Sequence, residues 1–171
     1  MSASSRMMVP LTGHLPAGRP AGEGRPGVHL AVVSEPYLTQ ILGGIKTIES
    51  RFSMREVPPF RCVAEGDILF LKKGGAPVTG VCRVSRVWFH RLDPERYHRI
   101  IQEHAVELSV DSSPFWHEKE SALFCTLMEL EDVRPITPTT LRKTDRRGWV
   151  VLRRAVHPYQ RLLREPKQGE D

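Results

Sequence analysis

Apolar residues recur with strand and helix periods in successive blocks of the chain. Residues 29–33 predict a short apolar strand. Pro36 fits the first turn of a following helix, where a missing N–H is tolerated, and Gly43 and Gly44 predict the end of that helix. Between them, apolar residues keep the i, i+3, i+4, i+7 spacing of one buried helix face: Leu38, Ile41, Leu42 and Ile45.

A strand of mixed polar and apolar character is predicted at 46–53, directly after this helix. A buried strand does not normally carry charge without a partner. Its polar face therefore either lines a cleft or lies against solvent. Strict alternation divides the side chains between two faces: Thr47, Glu49 and Arg51 on one, and Lys46, Ile48 and Ser50 on the other.

A β-hairpin is predicted next. Residues 68–72 form a mostly apolar strand, 72–77 a turn rich in lysine and glycine, and 78–89 a long partner strand. Polar residues interrupt the alternation of the partner strand on both faces at 83–86. This break indicates a bulge or a coiled strand of the kind that closes small barrels.

Two helices follow the hairpin. Asp93 predicts an N-cap, with Pro94 as the first helical residue, and the apolar positions of this helix continue to Leu108. Residues 113–118 predict a second, shorter helix.

The last predicted strands are 122–130 and 149–152, with Arg134, Pro135 and Pro138 marking a loop between them. Some helical character returns around 159–163. Five to six strands with two to three flanking helices predict a small α+β domain built on a mixed β-barrel.

Composition narrows the class of protein. A chain of 171 residues with 40% hydrophobic and 26% charged residues is typical of one globular domain with tails. The net charge of +5 favours an acidic partner, of which nucleic acid is the commonest. No apolar run approaches the roughly 18 residues that cross a bilayer, and we expect no membrane association and no secretory signal.

The three cysteines indicate a reducing compartment. They are odd in number, widely spaced and without a C-x-x-C pair, as expected of reduced thiols: Cys62, Cys82 and Cys125. We therefore expect an intracellular protein, cytoplasmic or nuclear. The histidines and cysteines show no metal-ligand spacing, and we expect neither a metal nor a cofactor.

The two ends of the chain differ from its middle. Residues 1–27 are rich in proline and glycine and predict a flexible extension, residues 28–153 the domain, and residues 154–171 a basic and then charged tail. The densest basic run lies near the end and is either a track for a nucleic-acid backbone or a solvated surface: Arg142, Lys143, Arg146, Arg147, Arg153, Arg154, Arg161 and Arg164.

Three segments in this order resemble the ASCH family, a branch of the PUA-like superfamily. Residues 44–51 match its G-x-K-x-x-E-x-R motif, residues 66–70 its G-D-x-hydrophobic strand, and residues 78–84 its following strand. The resemblance covers roughly 29–152. It implies a PUA-like pseudo-barrel with a cleft that carries the lysine, glutamate and arginine of the motif, and a function in RNA binding or handling. Lys46 can share that cleft only if it precedes the strand.

A subset of the family cleaves N4-acetylcytidine with a lysine, a threonine nucleophile and a distant glutamate. Lys46 and Arg51 match the lysine and arginine of that subset, but Glu49 occupies the position of the threonine. Thr47 carries a hydroxyl two residues earlier. The resemblance therefore implies a catalytic alternative in which Lys46, Thr47 and Glu49 act in a hydrolase.

The candidate ligand site combines the motif with nearby polar and aromatic residues. Lysine and arginine would hold phosphate oxygens, and the glutamate would accept an N–H from a base edge. Aromatic side chains could stack on a base, with Trp116 favoured over Phe52 and over Trp149, which is expected in the core. The predicted set is Lys46, Thr47, Glu49, Arg51, Ser53, Lys72, Trp116, Arg146 and Arg147.

Three functions follow as hypotheses. The first is binding of single-stranded RNA or a modified nucleotide, or of a small nucleotide alone, without catalysis or with weak catalysis. The second is a nucleic-acid-related hydrolase, either a nucleoside amidohydrolase or a ribonuclease acting on a phosphodiester. The third is a protein-interaction module of the transcription-coactivator type, whose basic tail contacts an acidic protein partner.

Overall fold

The structure is a computed structural model that describes residues 24–110, 113–141 and 147–156. Within these ranges the chain forms six strands and three helices. In chain order they are β1 (Val28–Val32), α1 (Tyr37–Leu42), β2 (Ile48–Ser53), β3 (Ile68–Lys72), β4 (Val78–Arg91), α2 (Pro94–His104), α3 (Ser113–Lys119), β5 (Phe124–Thr139) and β6 (Trp149–Arg153).

The strands form one mixed sheet in the order β2-β5-β4-β3-β1-β6. β1 and β3 run parallel, and the other neighbouring strands run antiparallel. The sheet curves as a half-barrel with three helices packed beside it. This confirms the predicted α+β class and the PUA-like architecture.

The long strands β4 and β5 carry the curvature. Their register shifts between Val78 and Gly80, between Val81 and Arg83, and between Val84 and Arg86. Each shift marks an irregularity that bends the strand and increases its twist. The bulge predicted from the broken alternation is therefore confirmed.

The loop predicted around Arg134, Pro135 and Pro138 is wrong, because β5 continues through these residues to Thr139. Its pairing with β2 covers only Phe124 to Glu129. Beyond that point β5 pairs with β4 alone, so each proline can turn the side without an N–H away from the sheet. The prolines are compatible with a strand because this half of β5 lies at an edge.

Two apolar clusters fill the interior. One packs α1 against the sheet and includes Leu38, Ile41, Leu71 and Met128. The other packs the α2 region against β2 and β5 and includes Ile48, Ile100, Leu108 and Leu127. Tyr37 contacts both clusters from the start of α1. Trp149 is 5% exposed, which confirms the expectation that it belongs to the core.

The cysteines are free thiols, as predicted. Cys82 and Cys125 are buried in strands, and Cys62 is half-buried in a turn. Burial raises the pKa of the Cys82 thiol to about 12, with the charge of Glu49 adding to the shift. Across the described ranges, no helix is long and apolar enough to span a bilayer.

The ends of the described domain are tied together. Arg25 forms a β-bridge with Val156, and the backbone N–H of Gly27 donates to Asp67 at 2.6 Å. The rest of the predicted extension and tail, including the helical pattern at 159–163, lies outside the described residues. The proposed domain boundaries stay predictions.

Candidate functional site

The end of α1 positions the first residue of the candidate site. Gly44 adopts φ +75°, which favours glycine, and its N–H donates to the carbonyl of Ile41 at 3.0 Å. The N–H groups of Ile45 and Lys46 both donate to Gln40, at 2.9 and 3.1 Å. The bonds donated by Gly44 and Ile45 form a Schellman motif. Because β2 begins only at Ile48, Lys46 lies in the turn before the pleat, as the cleft requires.

The carboxylate of Glu49 lies between two cations. Its Oε1 is 3.0 Å from the Arg51 guanidinium, and its Oε2 is 3.8 Å from the Lys46 ammonium. Glu49 is 5% exposed and Lys46 3%, so water screens these charges weakly. The structure thus brings together the lysine, glutamate and arginine of the motif in a nearly buried cluster.

The Lys46 ammonium has partners besides Glu49. It donates to the carbonyl of Leu108 at 2.8 Å and lies 5.4 Å from the centre of the Tyr37 ring. Burial lowers the pKa of Lys46; Glu49 opposes that shift and Arg51 adds to it. The ammonium therefore depends on a carboxylate, a carbonyl and an aromatic face for its stabilisation.

The Arg51 guanidinium connects separate parts of the sheet. It donates to the carbonyl of Val32 at 2.9 Å and to that of Gly148 at 3.4 Å. It also lies 5.4 Å from the centre of the Trp149 ring. Its Nε–H is buried without a partner among the described residues. Arg51 therefore both pairs with Glu49 and holds β2 beside β1 and the start of β6.

A pocket of about 220 Å³ opens beside this cluster. Its polar floor is the Lys46, Glu49 and Arg51 cluster, and Tyr37 and Phe115 contribute aromatic walls, with their ring centres 5.9 Å apart. Lys119 is also part of the lining, with its ammonium 5.6 Å from the centre of the Phe115 ring. The remaining lining residues are Val32, Val33, Ser34, Ser50 and Phe52.

Three predicted site residues lie away from this pocket. Thr47 is exposed and does not line it. The hydroxyl of Ser53 donates to the carbonyl of Arg55 at 2.7 Å, on the surface. Lys72 is buried at the end of β3, outside the pocket lining. Their roles in ligand binding stay predictions.

Trp116 packs into an aromatic cluster and does not line the pocket. Its ring meets Phe52 edge to face at 6.3 Å, and its carbonyl accepts a hydrogen bond from the Tyr97 hydroxyl. The neighbouring residue on α3, Phe115, is the one that lines the pocket. The sequence indicated an aromatic wall near this helix start but not which ring forms it.

The predicted basic residues fall in two groups. Arg147 lines a separate hollow of about 600 Å³ together with Arg153 and Arg154. Five others, including Arg146 of the predicted site, lie outside the described residues: Arg142, Lys143, Arg146, Arg161 and Arg164.

Sequence reasoning missed several residues that line the pocket. Tyr37 is the first residue of α1, and Ser34 precedes that helix, so the strand-to-helix junction was a signal that these residues lie near the motif. Lys119 is the last residue of α3. Nothing in the local pattern indicated that this helix would reach β2.

A chain of hydrogen bonds between buried polar side chains positions Trp149 next to the cluster. The indole N–H of Trp149 donates to His29 Nδ1 at 3.3 Å, so the other ring nitrogen of His29 carries the proton and meets Asp67 at 3.0 Å. Burial alone would raise the pKa of Asp67, but hydrogen bonds from His29 and from the N–H groups of Ala64 and Gly27 hold it below its usual range. This chain fixes the Trp149 ring on which Arg51 lies.

Solved structures similar to this chain include ASCH domains. The crystal structure of ASCH from Zymomonas mobilis has a TM-score of 0.59 at 15% identity, covering 74% of this chain and 87% of that chain. Two single-substitution variants of the Zymomonas mobilis protein give TM-scores of 0.58 and 0.59 at 16% and 17% identity, covering 80% of this chain and 96% and 94% of theirs. No family model and no curated protein matches the chain. At these identities the likeness shows the fold.

Proposed function

The chain has the fold of an ASCH domain, and we propose that it binds RNA by taking one base of a single strand, or a modified nucleotide, into the pocket beside Glu49. The observation that carries the proposal is a nearly buried carboxylate held between two cations at the floor of a small pocket with aromatic walls. This arrangement combines a hydrogen-bond acceptor for a base edge with rings that can contact a base face.

The carboxylate supplies specificity in this proposal. A carboxylate accepts from the amino group of cytosine, and a well-formed base-edge contact discriminates by about 1–3 kcal/mol. Lys46 and Arg51 orient Glu49, because each pairs with its carboxylate and is itself anchored by a backbone carbonyl. Their main role is therefore to hold Glu49 in place rather than to grip phosphate.

The walls and rim supply the rest of the binding energy. Stacking of a base on an aromatic ring contributes about 1–3 kcal/mol, and Tyr37 and Phe115 offer two such rings. Lys119 is about one-third exposed at the rim, 3.8 Å from the carboxylate of the exposed Glu118, and its ammonium can also meet a phosphate there. A volume of about 220 Å³ is smaller than the ~300–1,000 Å³ of pockets for drug-sized ligands. It suits one base-sized group.

The threonine chemistry of the catalytic alternative finds no support in this geometry. Lys46 and Glu49 line the pocket, but Thr47 lies outside it on the surface. A nucleophile must lie within hydrogen-bond reach of its base and of the substrate. The proposal is therefore for binding, and turnover of acetylated cytidine or of RNA would count against it.

A titration of fluorescently labelled single-stranded RNA, followed by anisotropy at several salt concentrations, tests the proposal. We expect Glu49→Gln to weaken binding about tenfold, corresponding to the lower half of the 1–3 kcal/mol range. Lys119→Gln should also weaken binding and flatten the salt dependence by about 0.7 in slope. Arg134→Gln, an exposed charge on β5 away from the pocket, serves as the matched control and should change little.

Lys119→Gln separates a loss of binding from a loss of stability, because Lys119 lies at the rim and its substitution leaves the buried cluster intact. If both Glu49→Gln and Lys119→Gln bind RNA as the unchanged protein does, the pocket is not the site. A mononucleotide titration then separates base recognition from general attraction to polyanions: a loss in Glu49→Gln with the mononucleotide supports the pocket directly.

A further inference from the structure

A second hollow, larger than the base pocket, runs beside the edge strand β6. Its volume is about 600 Å³, and it is lined by residues 147–154 on one side and by Val57 and Pro58 on the other. β6 is the last strand of the sheet and pairs with β1. Among the described residues no further strand pairs with its outer side, so backbone N–H groups there can donate to a bound anion.

Among the residues that the structure describes, the charged ones that line this hollow are arginines: Arg147, Arg153 and Arg154. The nearest acidic residue in sequence to its other wall is Glu56, which is already paired with Arg61 at 3.5 Å and Arg91 at 3.3 Å. Arg153 donates to the carbonyl of Pro26 at 3.2 Å, so this exposed guanidinium is held in place.

A third hollow, of about 130 Å³, lies between the other two. It shares Arg51 and Phe52 with the base pocket. It shares Val57, Pro58, Gly148 and Trp149 with the hollow along β6. The three hollows therefore follow one another across the sheet, with Arg51 at the first boundary and Gly148 at the second.

We propose that the hollow along β6, which we call the arginine groove (residues 147–154 with Val57 and Pro58), binds the phosphodiester backbone of the RNA strand whose base occupies the pocket beside Glu49. This inference rests on the proposed function and extends it from one base to a path for the strand. The continuity of the hollows gives the strand its direction, and Arg153 and Arg154 give the groove positive charge that complements the phosphates.

A single-stranded polyanion fits this surface better than an acidic peptide does. A peptide would need only the edge of β6 and the arginines, and it would not explain why the groove continues through a third hollow to the base pocket. A nucleic-acid strand would occupy all three hollows. Its base would lie beside Glu49, the adjoining sugar-phosphate link would pass Arg51, and the following phosphates would lie along Arg153 and Arg154.

The test compares a ribonucleoside monophosphate with single-stranded RNAs of increasing length. We expect affinity to rise with length in the unchanged protein. In a variant carrying Arg153→Gln and Arg154→Gln, that gain should disappear. The salt slope should fall by about 1.4, since each phosphate of a single strand that an arginine neutralises adds about 0.7 to it. Affinity for the monophosphate should stay the same.

A variant with two exposed arginines changed elsewhere, Arg99→Gln and Arg134→Gln, is the matched control for net charge. If the control loses the length gain as much as the groove variant does, the effect is general electrostatics and the groove is rejected.

The other outcomes separate the two proposals. Monophosphate binding that depends on Glu49, with no gain from length, rejects the groove and keeps the pocket. A length gain that depends on Arg153 and Arg154 but not on Glu49 keeps a polyanion groove and rejects the base pocket. An acidic peptide that binds through the same arginines, without any gain from RNA length, rejects the groove as an RNA path, and absence of all RNA binding rejects both.

Discussion

Glu49→Gln is the substitution that most directly tests how the buried cluster is held together. Glutamine keeps the shape of the side chain and removes its charge. Arg51 and Lys46 then lose the carboxylate that lies 3.0 and 3.8 Å from them. The amide can accept from one of the two cations but presents its NH₂ group, a donor, to the other.

The expected cost is about 3 kcal/mol in the free energy of unfolding. Two unit charges 4 Å apart attract by about 4 kcal/mol at an effective dielectric constant of 20, and removing one partner of a buried pair costs about 3–5 kcal/mol. The lower end applies because both cations keep carbonyl partners, Leu108 for Lys46 and Val32 for Arg51. Out of a typical total of about 5–15 kcal/mol, this is a large loss.

The cost should depend on pH in a defined direction. Burial already lowers the pKa of Lys46, and Glu49 is the neighbour that raises it. In Glu49→Gln the folded-state pKa falls further, while the unfolded chain keeps an ordinary value of about 10.4. Between these two values the unfolded state binds more protons, so the stability of the variant rises with pH.

Urea denaturation followed by tryptophan fluorescence, repeated from neutral to alkaline pH under reducing conditions, measures both effects. The deficit of Glu49→Gln relative to the unchanged protein should be largest near neutrality and should shrink as pH rises. The pair Glu49→Gln with Lys46→Met is the control, because it has no ammonium to titrate and should lose that recovery. A deficit below about 0.5 kcal/mol, the ordinary range for surface substitutions, would refute the coupled cluster.

Two further predictions concern the interior outside the pocket. Asp67→Asn should cost about 1–3 kcal/mol at neutral pH, because the amide cannot accept from His29 and both backbone N–H groups at once. The pKa of Asp67 is lowered in the folded state, so its contribution to stability is present above about pH 3.9, the unfolded value, and is lost as pH falls through the folded value. The stability of Asp67→Asn should therefore fall less steeply with acid than that of the unchanged protein. The same acid dependence in both proteins would contradict this. Brief alkylation of the folded protein with iodoacetamide should modify Cys62 before Cys82 and Cys125, because the latter two are buried and Cys62 is only half-buried. Burial raises the pKa of all three thiols, so access of the reagent decides the order. Mass spectrometry that shows equal labelling would contradict the burial of Cys82 and Cys125.

Elements with strong local signals were predictable from the sequence. β3 runs from Ile68 to Lys72 as predicted, because an apolar run lies between two turns rich in glycine. The start of β2 was predicted two residues too early, at Lys46, whereas the strand begins at Ile48. The N–H groups of Ile45 and Lys46 donate to the carbonyl of Gln40, and these bonds keep Lys46 out of the strand. The motif could therefore be placed after a helix and along a strand from the sequence, but the side on which Lys46 lies could not.

Contacts between distant parts of the chain could not be predicted in this way. Trp149 and His29 are 120 residues apart, and His29 and Asp67 are 38 apart, yet they form one buried chain of hydrogen bonds. In the sequence each of these residues has a simpler explanation: Trp149 as a core side chain, His29 as a residue of a strand, and Asp67 as a residue of a turn. Only the order of strands in the sheet brings β6, β1 and the start of β3 together.

The choice of Trp116 over Phe115 shows a second limit. Both residues lie on the same short helix, and neighbouring positions on a helix point about 100° apart. Its place near a helix start favoured Trp116 as the stacking ring, but the packing of α3 against Phe52 decides which side chain reaches the pocket. Such a rotation is set by tertiary packing and has no local signal.

Arg51 links the stability of the fold to the proposed binding of RNA. Its guanidinium donates to Val32 and Gly148, contacts Trp149 and pairs with Glu49, so the same group joins β2 to the other end of the curved sheet and orients the acceptor in the pocket. It also forms the boundary between the base pocket and the next hollow. A substitution at Arg51 would change all of these at once. The separate tests at Glu49, Lys119 and Arg153 are therefore needed to assign a loss of RNA binding to the pocket, its rim or the arginine groove.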